Sequence, residues 1–240
     1  MSADLTAVAR DLAPSGTLRA SINLGNPVLA QGSSDAPSGV TVDIAREIAA
    51  RLGVPVSFVC FDAARKSFEA LTAGAADLCF MAIEPARAAE VDFTAPYVLI
   101  EGVFAVADGS PIRSVAEVDR AGVRIGVKEG SAYDLYLTRS LEHATLVRGS
   151  EGADVFAEQG LEVGAGIRQP MAAFVASRPG LRLVDEAFMQ IRQAVGTTRG
   201  HHPDTVQFVH DTVEELKASG FVREALDRSG RADTTVAPPA

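Results

Sequence analysis

The chain has 240 residues, of which 47% are hydrophobic, and it carries a formal net charge of −9 at pH 7. This length and apolar fraction allow one large or two small buried cores and argue against global disorder. The acidic charge without any lysine and arginine block, the absence of tryptophan and the lack of a long apolar run argue against nucleic-acid binding and membrane insertion.

The first hundred residues predict an alternation of strands and helices. Apolar residues between positions 42 and 52 recur at helical spacing, and Gly53 ends that helix. The same kind of pattern predicts strands at 18–24, 54–61 and 77–83 and a second helix at 66–73. Strands that alternate with helices through short connections form parallel sheets with right-handed crossovers.

The alternation begins again after residue 97. An apolar segment at 98–106 precedes predicted strands at 123–127, 161–167, 181–184 and 188–195 and helices at 132–140, 170–177 and 203–219. The tail at 231–240 (RADTTVAPPA) has too few apolar residues to predict an ordered segment, so we expect it to be disordered. The pattern as a whole predicts an α/β protein with two βαβ halves.

Cys60 and Cys79 each lie in an apolar, strand-like run, which favours two buried free thiols over a disulfide. Residues 1–14 include charged side chains and lack the apolar segment of a secretory signal. On this reading a signal was either removed or never present, and the Met-Ser-Ala start favours a protein that stays in the cytoplasm.

Several segments resemble one family of transport receptors. Pro85-Ala86-Arg87-Ala88, followed by residues 91–97 (VDFTAPY), resembles the T-P-E-R-x-x-x-V-D-F-S-x-P-Y segment of polar amino-acid-binding proteins. Residues 39–52, 126–131 and 214–220 fall at the family's positions and in its order. The chain is therefore similar, over residues 17–230, to the periplasmic solute-binding proteins of family 3, which serve ABC importers.

The resemblance implies a type II periplasmic-binding fold of two lobes, each a mostly parallel sheet with helices on both faces. It places lobe 1 at residues 1–101 and 195–240 and lobe 2 at residues 102–194, with crossing strands near 99–105 and 190–196. A ligand would be held in the cleft between the lobes, and hinge closure would be the expected motion. The family also implies an ABC permease as a partner and the periplasm as the compartment.

Two residues match positions at which the family binds its ligand. Arg87 stands where the family has a carboxylate-binding arginine, and a guanidinium can bind a carboxylate through two parallel hydrogen bonds. A surface arginine in the first turn of a helix is the alternative. Ser131 follows Gly130 at a predicted helix start, where the family has a ligand-binding Ser or Thr and where a helix attracts anions. An ordinary N-cap is the alternative for Ser131.

Arg168 departs from the family pattern. Family members carry an acidic residue before the proline of a D-S-P-like motif, where it binds the ammonium group of the ligand. The matching stretch here is Ile167-Arg168-Gln169-Pro170. An acid replaced by a cation argues against an ordinary α-amino acid and favours a ligand with two acidic groups. A salt bridge on the surface or between lobes is the alternative.

Four further polar residues are candidates for the ligand site. Glu84, beside Arg87, could accept an ammonium group or pair with an arginine. Glu101 is a lone charge in the apolar run YVLIEGVF and needs a partner, whether ligand, arginine or backbone donors. Asn23 and Asn26 follow the first strand and could orient a ligand, although turn formation explains them equally well.

These observations favour a protein that binds a small carboxylated metabolite, as a transport receptor or a sensor, and not an enzyme. The alternative is a dehydratase similar to cyclohexadienyl dehydratase, which shares this fold, with Glu84 or Glu101 as general acid. The histidines have no metal-binding spacing, and the sequence contains no P-loop, dinucleotide fingerprint or nucleophile elbow. We therefore expect neither a metal nor a cofactor.

Overall fold

A computed structural model describes residues 4–240. The chain divides into two compact units. Unit 1 contains the described residues up to Leu99 together with Arg192–Ala240, and unit 2 contains Ile100–Ile191. Two long strands, β7 (Val98–Ala107) and β11 (Leu181–Thr198), include residues of both units, so the chain passes from one unit to the other along them.

Unit 1 is an α/β unit built on a mixed sheet. Its strands are β1 (Leu18–Asn23), β2 (Gln31–Ser33), β3 (Ala36–Ser38), β4 (Val56–Phe61), β5 (Leu78–Ala82), β6 (Val91–Phe93) and β12 (Thr235–Val236). Its helices are α1 (Leu5–Leu12), α2 (Val40–Leu52), α3 (Ala64–Thr72), α4 (Pro85–Ala88), α8 (Pro203–Ala218) and α9 (Phe221–Arg228). The order β4-β1-β5-β11 joins three parallel strands to the antiparallel β11.

Helix α2 shows how the sequence specifies this unit. Its apolar residues Val42, Ala45, Ile48 and Ala49 are all buried, so one face of the helix packs into the core. Gly53 ends the helix in the left-handed region at a φ of 67°, which glycine adopts without a steric penalty. The chain then returns as β4, parallel to β1.

Unit 2 repeats the α/β arrangement. It contains a 3₁₀ turn (Val115–Glu117), the strands β8 (Arg124–Lys128), β9 (Thr145–Gly149) and β10 (Val163–Ile167), and the helices α5 (Ala132–Ser140), α6 (Gly152–Glu158) and α7 (Arg168–Ala176). Strands β10, β8 and β9 are parallel neighbours, and β7 pairs antiparallel with β10. Unit 2 therefore has the mostly parallel sheet that the resemblance implies, whereas in unit 1 the parallel strands β4, β1 and β5 are accompanied by antiparallel pairings of β11 with β5 and β6.

Glycines allow α6 to lie close to the sheet of unit 2. A Cβ atom on Gly152 would lie 2.7 Å from the carbonyl oxygen of Ala165, and one on Gly126 would lie 2.7 Å from that of Gly152. A Cβ on Gly164 would lie 2.9 Å from the ring of Phe156. Since real Cβ atoms do not approach backbone this closely, glycine is needed where this helix crosses β8 and β10.

The two crossing strands pair within the sheets of the units. Strand β11 pairs with β5 in unit 1, and β7 pairs with β10 in unit 2. The segment 181–198 is also one strand and not the two that the sequence predicts, because the exposed residues at 185–187 interrupt its apolar pattern but keep an extended backbone.

The C-terminal tail differs from its predicted disorder. Within residues 231–240, β12 pairs with the start of β7, and Thr234 and Ala237 are 2% and 3% exposed. The expectation was wrong because it weighed composition alone. Backbone pairing and nearby cationic side chains hold this segment although it has few large apolar residues.

Cys60 and Cys79 are both free thiols, the first partly buried and the second buried. Burial raises the pKa of Cys79 to about 12, against the opposing effect of Arg87, so this thiol is uncharged at neutral pH. In residues 4–240, no helix is both long enough and apolar enough to cross a membrane.

Candidate functional site

Arg87 and Glu84 are two buried residues of opposite charge in unit 1. Arg87 lies in α4, directly after β5, and both residues are 3% exposed, which excludes the surface-arginine alternative. Burial lowers the pKa of Arg87, while the charge of Glu84 acts in the opposite direction and favours the guanidinium cation. The Nη1 atom of Arg87 donates to the carbonyl oxygen of Ala82 over 3.3 Å. The structure thus holds a cation at the carboxyl end of β5, where parallel sheets typically bind ligands.

Asn23 and Asn26 shape the loop that leaves β1. The Oδ1 atom of Asn23 accepts the N–H of Gly25 at 3.0 Å, and Oδ1 of Asn26 accepts the N–H of Val28 at 3.3 Å. Both contacts are typical of asparagines that mimic a backbone turn. Asn26 is 5% exposed. Turn formation therefore uses the oxygen atoms of both amides.

Ser131 is the N-cap of α5 in unit 2. Its hydroxyl accepts the backbone N–H of Asp134 at 3.0 Å, and the residue is 8% exposed. Asp134 in turn accepts the N–H of Gly130 at 2.8 Å and forms a 3.0 Å ion pair with Arg148. The positive end of this helix therefore already has a carboxylate of the protein beside it.

Glu101 and Arg168 form an ion pair within unit 2. The Nε atom of Arg168 pairs with Oε2 of Glu101, and its Nη2 atom donates to the carbonyl oxygen of Asp185 at 3.1 Å. Arg168 is the first residue of α7, where a cation is unfavourable next to the helix dipole, and Glu101 offsets that cost. The side chains are 33% and 49% exposed, so solvent reaches the pair. Arg168 therefore has a carboxylate partner within unit 2, and Glu101 has the arginine partner that its apolar sequence context requires.

The structure distributes the seven sequence candidates between the two units. Unit 1 contains four of them, Asn23, Asn26, Glu84 and Arg87, and unit 2 contains three, Glu101, Ser131 and Arg168. Glu101 and Arg168 form an ion pair, and the negative charge of the buried Glu84 acts on Arg87. The two asparagines share one loop, in which the N–H of Asn26 donates to the carbonyl oxygen of Asn23 at 3.3 Å.

Sequence reasoning missed Asp134, a 3% exposed carboxylate that neighbours the Ser131 candidate. The signal was present, because Ser131-Ala132-Tyr133-Asp134 has the Ser-x-x-Asp spacing of a capped helix start. It also missed the ion pair of Lys128 with Glu151, which are too far apart in sequence to be matched. Among the described residues, no group of three or more His, Cys, Asp or Glu could hold a metal ion.

Comparison with solved structures identifies the fold. The chain has the fold of type II periplasmic-binding proteins. An arginine-binding protein mutant from T. maritima superposes with a TM-score of 0.75 at 22% identity, covering 93% of this chain and 99% of that one. The L-arginine-bound ABC transporter protein AbpA from Streptococcus pneumoniae gives 0.75 at 19% identity, with 92% and 97% coverage.

A third structure with this fold is a histidine kinase sensor domain similar to periplasmic binding proteins. Its TM-score is 0.76 at 19% identity, with 92% of this chain and 98% of that chain covered. The chain belongs to the bacterial extracellular solute-binding proteins, family 3, whose pattern matches residues 21–230. No curated protein matches the chain by sequence.

Proposed function

We propose that this protein is a receptor for a small carboxylated solute that resembles an amino acid, and not an enzyme. The supporting observation is the buried Arg87, a cation held at the carboxyl end of a central parallel strand in a solute-binding family. Desolvation strengthens the interaction of such a cation with a carboxylate ligand. The arginine-bound structural relative is consistent with a ligand of this class.

Transport is the role that we propose first. The family is extracellular, and a relative with the same fold works with an amino-acid ABC transporter, so an ABC permease is the proposed partner and the periplasm the proposed compartment. The likeness to a histidine kinase sensor domain, over 92% of this chain, favours ligand sensing as the second candidate. Both roles require the same reversible binding of a solute.

In this proposal, the Glu101–Arg168 pair selects among ligands according to the charges that they carry. Arg168 supplies a cation where the family resemblance implies an acid, and Glu101 partly neutralises it. A second acidic group on the ligand would compete with Glu101 for the guanidinium. The proposed ligand is therefore an amino or organic acid with two acidic groups, such as a dicarboxylate.

Variants of this pair test the proposal by calorimetry with L-glutamate, succinate and L-arginine. Glu101→Gln should raise the affinity for the two diacids by up to about fivefold, because an exposed ion pair is worth about 1 kcal/mol at most. Arg168→Asp should lower the affinity for the two diacids and should favour the binding of L-arginine. If both variants bind all three compounds as the unmodified protein does, the pair does not contact the ligand, and the proposed ligand class is wrong.

A further inference from the structure

The C-terminal residues cover the start of the crossing strand β7. Thr235 lies opposite Leu99 and Val236 opposite Val98 in an antiparallel pair, and the N–H of Ala237 donates to the carbonyl oxygen of Tyr97 at 3.0 Å. Leu99 is the last residue of unit 1 before the chain enters unit 2. The tail thus pairs with the backbone at the point where the chain leaves unit 1.

Lys217 of α8 binds both the C-terminal tail and the residues that precede β7. Its side chain is 3% exposed, and its Nζ atom donates to the carbonyl oxygens of Pro96 at 3.2 Å and Pro238 at 2.9 Å. Nζ also lies 2.5 Å from Glu214, whose carboxylate accepts the N–H of Ala240 at 3.1 Å. A buried ammonium is costly unless its donors are satisfied, so the removal of the tail would leave Lys217 with an unmet hydrogen bond.

Arg223 of α9 holds the segment that leads to the tail strand. Its Nη1 atom donates to the carbonyl oxygen of Thr234 at 2.8 Å, and its Nη2 atom to that of Arg231 at 3.2 Å. Asp227 accepts from its Nε atom at 3.0 Å and fixes the guanidinium. Two cations on two helices therefore bind the carbonyl groups of one ten-residue segment, 231–240, which we name the C-terminal strap.

We propose that the C-terminal strap stabilises the unit 1 end of β7 and limits how often the backbone hydrogen bonds of this crossing strand open. Backbone groups at a strand edge are open to solvent or to another chain unless a segment covers them. The strap covers this edge through backbone pairing at residues 97–99, and hydrogen bonds from the side chain of Lys217 hold the two segments together. It thereby sets the local stability of a strand along which the chain passes between units.

Hydrogen exchange measured by mass spectrometry tests the strap on two variants. A chain that ends at Asp233 loses β12 but keeps the contacts of Arg231, whose N–H donates to Leu226. Lys217→Met keeps the full tail and the apolar stem of the side chain but removes the ammonium group. Each variant should lower the protection of residues 96–101 by at least about fivefold, as expected for a local opening that has lost buried hydrogen bonds.

Lys66→Met is the matched control, since Lys66 is 45% exposed and pairs with Asp62 one helical turn away. It should leave the protection of residues 96–101 unchanged. Peptides from β8 to β10 in unit 2 should exchange equally in every variant. The proposal is overturned if the fall in protection at residues 96–101 is below fivefold in Lys217→Met, or if the unit 2 peptides lose protection to the same extent.

Discussion

The buried pair of Arg87 with Glu84 gives the most informative single substitution, Arg87→Met. Methionine preserves an unbranched side chain of similar reach but removes the guanidinium and its hydrogen bond to Ala82. Glu84, itself 3% exposed, would then remain buried without this cation. Removing one of two neighbouring opposite charges that are both buried costs about 3–5 kcal/mol, because the other charge loses its nearby counter-charge. We therefore expect Arg87→Met to lower the free energy of unfolding by about that amount.

Urea unfolding followed by circular dichroism measures this effect. The double variant Glu84→Gln/Arg87→Met should recover more than half of the lost stability, because the buried negative charge is then removed together with its counter-charge. The control is Arg65→Met, which changes a 45% exposed arginine in α3 and should cost less than about 0.5 kcal/mol. A loss in Arg87→Met no larger than that of the control would refute the buried-pair reasoning.

The same variants separate a structural role of Arg87 from a role in binding. If the guanidinium binds the ligand carboxylate, the double variant regains stability but not affinity, since neither the introduced amide nor the introduced thioether can replace the cation. Losing a charge-assisted hydrogen bond in a buried site costs about 2–5 kcal/mol, so affinity should fall at least about thirtyfold. Recovery of both stability and affinity in the double variant would show that Arg87 acts on the fold alone.

Two further predictions concern unit 2. Gly152→Ala should destabilise the protein by about 1–3 kcal/mol in urea unfolding, since its Cβ would meet backbone atoms that cannot move aside, whereas Gly109→Ala, with no atom within 4 Å, should be nearly neutral. Hydrogen bonds from Arg124 lower the pKa of Glu162 to about 2, so their stabilising effect is complete above the ordinary pKa of 4.5 and is lost as the pH falls from there towards 2. Glu162→Gln should therefore cost up to about 1 kcal/mol at pH 7 and progressively less below pH 4.5, and an equal cost at pH 7 and pH 3 would contradict this assignment.

The sequence predicts the elements whose burial follows a regular period. The predicted helix at 42–52 corresponds to α2 (Val40–Leu52), because its buried face repeats every turn and Gly53 ends it. Strand β9 and helix α6, within residues 145–158, were missed because most of β9 is only partly buried and α6 is short and acidic. Their existence depends on contacts with β8 and β10, which local patterns do not reveal.

The sequence indicates individual candidate residues but does not reveal most of their partners. The sequence indicates that Glu101 needs a partner and that Arg168 is an unusual cation, yet the two are 67 positions apart and their ion pair follows from the pairing of β7 with β10. Ser131 could be placed at a helix start from its neighbours alone. Neither hydrophobic periodicity nor secondary-structure propensity indicates which of these residues contacts a ligand.

Recognition of a carboxylate is tested by isothermal titration of the unmodified protein with L-glutamate, succinate, L-arginine and L-glutamine, each paired with its carboxyl-blocked ester or amide. A ligand at 100 times its Kd stabilises the protein by about 2.7 kcal/mol, so thermal unfolding in the same solutions gives an independent readout. We expect saturable, one-to-one binding of at least one free acid, with affinity at least about thirtyfold weaker for its blocked partner. Equal binding of an acid and its blocked form, or binding of the blocked forms alone, would contradict recognition of a carboxylate.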